Sequence, residues 1–404
     1  MALISSGDLA LLKSDKGTIR STRIDDKRVS FGKRSFFLHE AMGKPYGTTF
    51  EVNRDQLVAV EKPKTDVLSE GIGEDYESGI DNRAIKDNNQ SQKLTRDDIV
   101  ALKAQGAKAD EIIGQLVENS GTFKERTEYS QAKYIRKKQL RYEDDVTIVR
   151  PSARLVCEMC LLRNPLKILH MRIDTLSQIL ALSNVHSGSN VLLVENCQGL
   201  VSGAVLQRLG GKGKLIQFSR EAVPVRPALE AFGLSEEVLE PLEDFPLAEI
   251  GKLGWVNVET KEDKSGVETK EDTLGKRKRK IDHDEDDRHQ RKKIRLEQVE
   301  QTRRFIEANK MDSLIVASKF QPWPIVESLI CRLAPSRPFV IYSQHKESLV
   351  ECFVNFRDQN LAVAMQLSET WFRHYQVFPQ RTRPEMNGKR SGGYLLTGTT
   401  CSKE

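Results

Sequence analysis

Between residues 3 and 60 apolar and polar side chains alternate in short runs, as at Val29 and Phe31, Phe36 and Leu38, and Phe50 and Val52. A period of two puts successive side chains on opposite faces of an extended chain, so these runs predict strands. Turn sequences separate them: Ser14-Asp15-Lys16-Gly17, Asp25-Asp26 and Gly43-Lys44-Pro45. Short strands with such breaks predict a small antiparallel, barrel-like β domain over residues 1–60. Residues 61–94 are rich in Asp, Asn, Ser, Gly and Lys, and their few large apolar groups cannot repay the entropy of ordering, which predicts a flexible linker. Thr95 followed by Asp98 resembles a capping box, and Ile99, Leu102, Ile112, Ile113, Leu116 and Val117 then recur at helical spacing. A helical segment over 95–150 follows.

From residue 151 the pattern becomes strand and helix in alternation, which predicts a parallel sheet with crossover helices. Val191-Leu192-Leu193-Val194 reads as a buried strand leading into a helix through Ala204, Leu206 and Leu209. Lys214 to Phe218, Ser313 to Ala317 and Phe339 to Tyr342 read as further strands. Tyr375 to Phe378 and Tyr394 to Leu396 flank a turn-rich stretch and are expected to pair as a closing hairpin. The expected class is an α/β Rossmann-like domain over 151–404, broken by a charged, disordered insertion at 257–300.

Charge sharpens this picture. A net charge of +5 is mild, but the basic residues are bunched, and bunching points to a polyanionic partner. Lys124 to Arg141 holds seven Lys or Arg against two Glu, with Tyr129 and Tyr134 interleaved. At about 3.6 residues per turn, Lys133, Lys137 and Arg141 share one helix face, suited either to a phosphate backbone or simply to solvent. The two tyrosines suit base stacking or core packing. In the insertion, KRKRK at 276–280 and RKKIR at 291–295 flank an acidic patch at Asp282 to Asp287. The arrangement resembles a bipartite nuclear-import signal, and equally a solvated charged loop.

The six cysteines lack a framework spacing and read as reduced thiols of an intracellular protein. Cys157 and Cys160 form a C-x-x-C with no second ligand pair, so no metal is expected. The first residues are too polar for a signal peptide, and no apolar run reaches the roughly 18 residues a membrane helix needs. Phosphate-loop, nucleophile-elbow and zinc-protease motifs are absent.

The predicted nucleotide crevice carries unusual residues. The first strand ends VLLVENCQGLVSG. S-adenosylmethionine-dependent methyltransferases, which this stretch resembles, place acidic-x-Gly-x-Gly there. Glu195 and Gly199 match, but Cys197 replaces the first glycine and puts a side chain where the turn and cofactor need room. After the second strand, where an acidic residue grips the ribose, the chain has Gln217-Phe218-Ser219-Arg220, with Glu221 late. At the end of the Ser313 to Ala317 strand, Ser318-Lys319-Phe320-Gln321 stands where adenine-N1 methyltransferases carry Asp-Leu-Pro, although the following Pro322-Trp323 is kept. Losses at three corners predict a degenerate, pseudo-enzyme pocket at Glu195, Cys197, Gly199, Ser219 and Ser318, with no catalytic residue and no cofactor.

Three stretches, TFKERTEYSQAKYIRKKQLRY from 122, MRIDTLSQILALSNVHSGSNVLLVENCQGLVSGAVLQRLGGKGKLI from 171 and WFRHYQVFPQRTRPEMNGKRSGGYLLTG from 371, resemble the non-catalytic subunits of eukaryotic tRNA (adenine-58-N1)-methyltransferases. The resemblance implies a degenerate methyltransferase fold, a tRNA ligand, and a catalytic S-adenosylmethionine-binding partner subunit in a heterotetramer of two of each. Carried onto this chain, it makes Arg126, Lys133, Arg136, Lys137, Lys138 and Arg141 the first candidates for tRNA phosphates, with Arg373, Arg381 and Arg383 second. It also implies a part in tRNA processing, while the two basic clusters make the nucleus the expected location and the lack of a long apolar run makes membrane association unexpected. Two rival readings stay open: an active methyltransferase that uses Glu221, and an RNA-binding adaptor in translation initiation.

Overall fold

The computed structural model describes residues 2–32, 34–53, 55–60, 79, 81, 85, 91–105, 107, 109–142, 145–221, 223–253, 283–377, 382–384 and 391–401. The chain divides into two units.

In the first unit, short alternating runs form β1 (Leu9–Ser14), β2 (Ile19–Arg23), β3 (Val29–Phe31), β4 (Arg34–Phe36), β5 (Thr49–Asn53) and β6 (Gln56–Val60). After them come α1 (Arg96–Ala104), α2 (Ala109–Glu118), α3 (Glu128–Tyr142), β7 (Asp145–Val149) and α4 (Ala153–Arg163). The main sheet is antiparallel with order β2-β1-β7-β5-β6, and β3 and β4 make a separate hairpin. Phe50, Val52, Val146 and Ile148 turn to one face and bury against Phe36, Leu38 and Leu12. The expectation of a β domain confined to 1–60 needs correction, because its central strand is β7. Residues 145–149 pair with β1 on one side and β5 on the other. The physical reason is that a central strand must be apolar and extended, and no run within 1–60 remains to fill that place. α4 packs on β2, so the boundary at 151 also shifts: the second unit begins at Asn164.

The capping box at Thr95 is formed. Thr95 N donates to Asp98 Oδ2 at 2.9 Å, and Asp98 N donates to Thr95 Oγ1 at 3.3 Å. On α2, Ile112, Ile113, Leu116 and Val117 are all buried, as their spacing predicts. Ile113 and Val117 meet Phe123, with Tyr134, Ile135 and Tyr142 packed around them.

The second unit runs α5 (Ile173–Leu182), β8 (Asn190–Glu195), α6 (Leu200–Leu209), β9 (Lys214–Ser219), α7 (Pro227–Glu230), α8 (Glu236–Leu239) and β10 (Leu242–Pro246). It continues through α9 (His283–Ala308), β11 (Ser313–Ala317), α10 (Pro322–Leu329), β12 (Pro338–Ser343), α11 (Lys346–Asp358) and β13 (Ala362–Glu369). A short arm, β14 (Tyr375–Gln376) with β15 (Arg383–Pro384), clusters with the first unit, and β16 (Tyr394–Thr400) returns to the second. The seven-stranded sheet has order β10-β9-β8-β11-β12-β16-β13. β8 to β12 pair in parallel, and β16 runs antiparallel between β12 and β13. Strand order reverses between β8 and β11, the position where doubly wound sheets open a ligand crevice at their carboxyl ends.

Two expectations fail here. Tyr375 and Tyr394 do not start two strands of one hairpin. Tyr375 pairs with Pro384, whereas β16 inserts beside β13, a strand absent from the sequence reading because its burial pattern is mostly exposed. The insertion expected to be disordered through 300 is helical from His283. Val299, Thr302 and Ile306, at spacings of three and four, are buried and tie the end of α9 to the core. Its first half shows no apolar stripe, so periodicity did not reveal it. The linker at 61–94 lies largely outside the described residues, as does the KRKRK cluster, while RKKIR at 291–295 lies on α9. Among the described residues, no helix is long and apolar enough to cross a membrane and no metal-ligand cluster occurs.

Candidate functional site

At the end of β8, Glu195 is buried and turned inward. Its carboxyl accepts the backbone N–H groups of Val201 and Ser202, each at 3.1 Å, and so caps the first turn of α6 from below. The Ser202 hydroxyl lies against this carboxyl and also donates to Gln217 Oε1 at 2.9 Å. Gln217 Oε1 further accepts Arg226 Nε at 2.8 Å, and Arg226 Nη2 reaches Asp244. Burial raises the Glu195 pKa, against the opposing bonds from Ser202 and Val201 and the charge of Arg226.

The turn after Glu195 is tightly packed. Gln198 and Gly199 both take positive φ, +58° and +82°, and only the glycine does so without strain. A Cβ at position 199 would come within 2.8 Å of both Arg226 Cβ and Leu229 Cβ. The 226–229 segment therefore lies directly on the glycine, and Ala228 N donates to Gln198 O at 3.0 Å. Cys197 does not project into the turn as expected. It is fully buried, and its thiol donates to Ala317 O at 3.6 Å, across the switch point toward β11. Ser219 donates to Glu221 O at 2.8 Å, and Glu221 itself is exposed. Ser318 is buried, with no hydrogen-bond partner for its hydroxyl among the described residues. Trp323 packs edge-on against Phe356 at 5.4 Å, which makes the Pro-Trp pair a packing feature.

The other candidate group lies in the first unit. On α3, Lys133, Arg136, Lys137 and Arg141 are exposed, and Arg126 and Lys138 are half-buried. Lys133, Lys137 and Arg141 do form one outward row. Tyr134 is half-buried, its ring edge-on to Phe123 at 5.7 Å and its hydroxyl accepting Gln92 Nε2 at 3.3 Å, so of its two possible roles it takes core packing. Tyr129 is half-buried as well. Arg373 and Arg383 are exposed on and beside the arm, which falls in the same unit as α3, while Arg381 lies outside the described residues. Trp371, Phe372, Tyr375 and Val377 are exposed too.

A model of the Gcd10p family matches residues 3–285. The chain belongs to the Gcd10p family. It is 38% identical to the mouse protein named tRNA (adenine(58)-N(1))-methyltransferase non-catalytic subunit TRM6, over 98% of this chain and 88% of that one. A Dictyostelium discoideum protein of the same name is 30% identical over 99% and 80%, and one from Schizosaccharomyces pombe 25% identical over 98% and 91%. Among solved structures, an S-adenosylmethionine-dependent O-methyltransferase of Thermotoga maritima aligns over 100% of this chain and 96% of its own, with a TM-score of 0.54 at 12% identity. At that identity the likeness establishes a Rossmann-like methyltransferase fold and nothing about chemistry.

For this Gcd10p-family chain, sequence reasoning found the three crevice corners but missed Arg226 and Asp244. Neither belongs to a motif, and Arg226 reaches Gln217 across nine positions of loop. The available signal was the buried amide at Gln217, since a polar side chain inside a strand end needs a partner.

Proposed function

We propose that the chain is the non-catalytic, tRNA-binding subunit of a tRNA (adenine(58)-N1)-methyltransferase and works with a catalytic subunit that binds S-adenosylmethionine. The observation that carries this is family membership, joined to relatives from an animal, an amoeba and a fungus that all bear that name over nearly the whole chain. The crevice supports it. The side chains that would have to face S-adenosylmethionine do not fit that cofactor: Glu195 is committed to α6, Gln217 and Asp244 to Arg226, and the 226–229 segment lies on Gly199. No carboxylate stands at Ser219 to hold a ribose, and none at Ser318.

In this reading the chain supplies contacts and its partner supplies chemistry. Folded RNA is held mainly through shape and backbone, so a basic surface spread over two subunits can grip tRNA while one pocket takes the adenine. Unstacking that base costs a few kcal/mol, which added phosphate contacts offset. Lys133, Lys137 and Arg141 are the first such contacts, with Arg126, Arg136 and Lys138 beside them and Arg373, Arg381 and Arg383 second. The proposal extends to a heterotetramer of two subunits of each kind, for which the exposed Phe372, Tyr375 and Val377 of the arm offer apolar surface to cover. It extends also to nuclear residence, supported by the two basic clusters at 276–280 and 291–295.

The test is transfer of labelled methyl from S-adenosylmethionine to an unmodified tRNA transcript by the purified chain, alone and with its catalytic partner. Transfer only by the pair is expected; transfer by the chain alone overturns the assignment.

A further inference from the structure

Lys138 differs from the other cations of α3. It sits between the outward row and the packed face, half-buried, with Nζ 5.0 Å from the centroid of the Tyr134 ring. Arg126 brings its guanidinium carbon to 5.2 Å from the same ring, and its Nη2 donates to Thr122 Oγ1 at 3.1 Å. The ring is a fixed platform, braced by Phe123 and by Gln92. Two cations are thus directed to one aromatic side chain on a rigid base.

Their charge is unbalanced. A lysine often buries only its stem, but an ammonium that has lost part of its water is best compensated by a carboxylate. Among the described residues, Arg126, Lys137, Lys138 and Arg141 make no ion pair with any Asp or Glu. Burial pushes the Lys138 pKa down, and the charges of Arg141, Lys137 and Arg126 push it further the same way. Folding therefore holds like charges together around a partly desolvated lysine, and an arriving anion would relieve that repulsion. The aromatic platform recovers only part of the cost.

We propose that Lys138, with Arg126 on the same Tyr134 ring and Lys137 and Arg141 beside it, forms a phosphodiester-binding subsite for the RNA backbone. This rests on the tRNA-binding reading above and adds to it a ranking. Lys138 anchors a partly desolvated phosphate, whereas the exposed Lys133 makes a screened surface contact. Charge-assisted hydrogen bonds formed away from water are the stronger kind, and screened surface pairs contribute little.

The experiment measures binding of an unmodified tRNA transcript to the complex of this chain with its catalytic partner, across a salt series, for the wild type, Lys138→Gln and Lys133→Gln. Lys138→Gln is expected to weaken binding about tenfold and to make the salt slope shallower by about one. Lys133→Gln is expected to weaken it about twofold. In parallel, lysine acylation of the wild-type complex read by mass spectrometry should show tRNA protecting Lys138 more than Lys133, a readout independent of whether a variant folds. Equal losses for the two variants, or equal protection of the two lysines, overturn the subsite and leave general RNA binding standing. No loss with either variant and no protection of either lysine overturn both.

Discussion

The crevice of the second unit and the basic helix of the first hold charge in opposite ways. In the crevice Glu195 and Arg226 have internal answers: Glu195 meets α6 and Ser202, and Arg226 meets Gln217 and Asp244. On α3, Lys137, Lys138 and Arg141 have no carboxylate partner among the described residues, and Lys138 carries the repulsion of three neighbours. A site whose polar groups are satisfied from within stabilises the fold and has little left for a ligand. A site folded with its charge unbalanced gains only when a counter-charge arrives. In the proposed function the crevice serves structure and the helix serves recognition.

That assignment breaks if crevice substitutions alter RNA binding or helix substitutions alter stability. The largest effect is expected from Glu195→Ala, which leaves Ser202, Gln217 and the first turn of α6 without their buried acceptor. Stability should drop by about 3–4 kcal/mol in denaturant melts, with tRNA affinity of the folded complex unchanged. A loss under about 1 kcal/mol would mean that the network holds nothing. Next comes the triple change Lys133→Gln, Lys137→Gln and Arg141→Gln. It should cost about 30-fold in tRNA affinity, roughly 2 kcal/mol, and flatten the salt dependence by two to three, while the melting midpoint stays in place. A lowered midpoint with intact affinity would reverse the roles of the two regions.

Arg226→Ala should cost about 1–2 kcal/mol of stability, since it removes a partly buried guanidinium from Gln217 and from the more exposed Asp244. Titration of the variant with S-adenosylmethionine should give no binding heat, because Gly199 still faces Leu229 and no ribose carboxylate exists. Measurable binding would show that Arg226 alone closes the crevice. The smallest effect concerns pH. Burial raises the folded pKa of Glu195 above its ordinary 4.5, so between the two values the native state binds more protons than the unfolded chain, and stability falls as pH rises through that window. Against Glu195→Gln, which does not titrate, the wild type should lose ground steadily as pH climbs from about 4.5. A flat difference would place the proton elsewhere in the network.

How far the residues alone could be read follows from what each signal measures. The alternation at Phe50 and Val52, the capping pair Thr95 and Asp98, the stripe at Ile112, Ile113, Leu116 and Val117, and the buried runs of β8, β9, β11 and β12 are local patterns, and all appear as elements. The first half of α9 and the mostly exposed β13 carry no such pattern, because helix and strand there are held by neighbours. Likewise the three altered crevice corners were visible as departures from a motif, but the reason they cohere was not. Arg226, which joins Gln217 to Asp244, has no motif to depart from.

The sequence by itself determined the class of fold, the family and the bunching of positive charge on one helix, since each depends on residue types at short, regular separations. Tertiary structure decided which strand sits at the centre of the first sheet, that the Cys197 thiol turns toward Ala317 and away from the crevice, and that Lys138 is the one α3 lysine drawn onto the Tyr134 ring. These depend on contacts between residues far apart in the chain, or on burial produced only when helices pack, and neither is written in the spacing of neighbours.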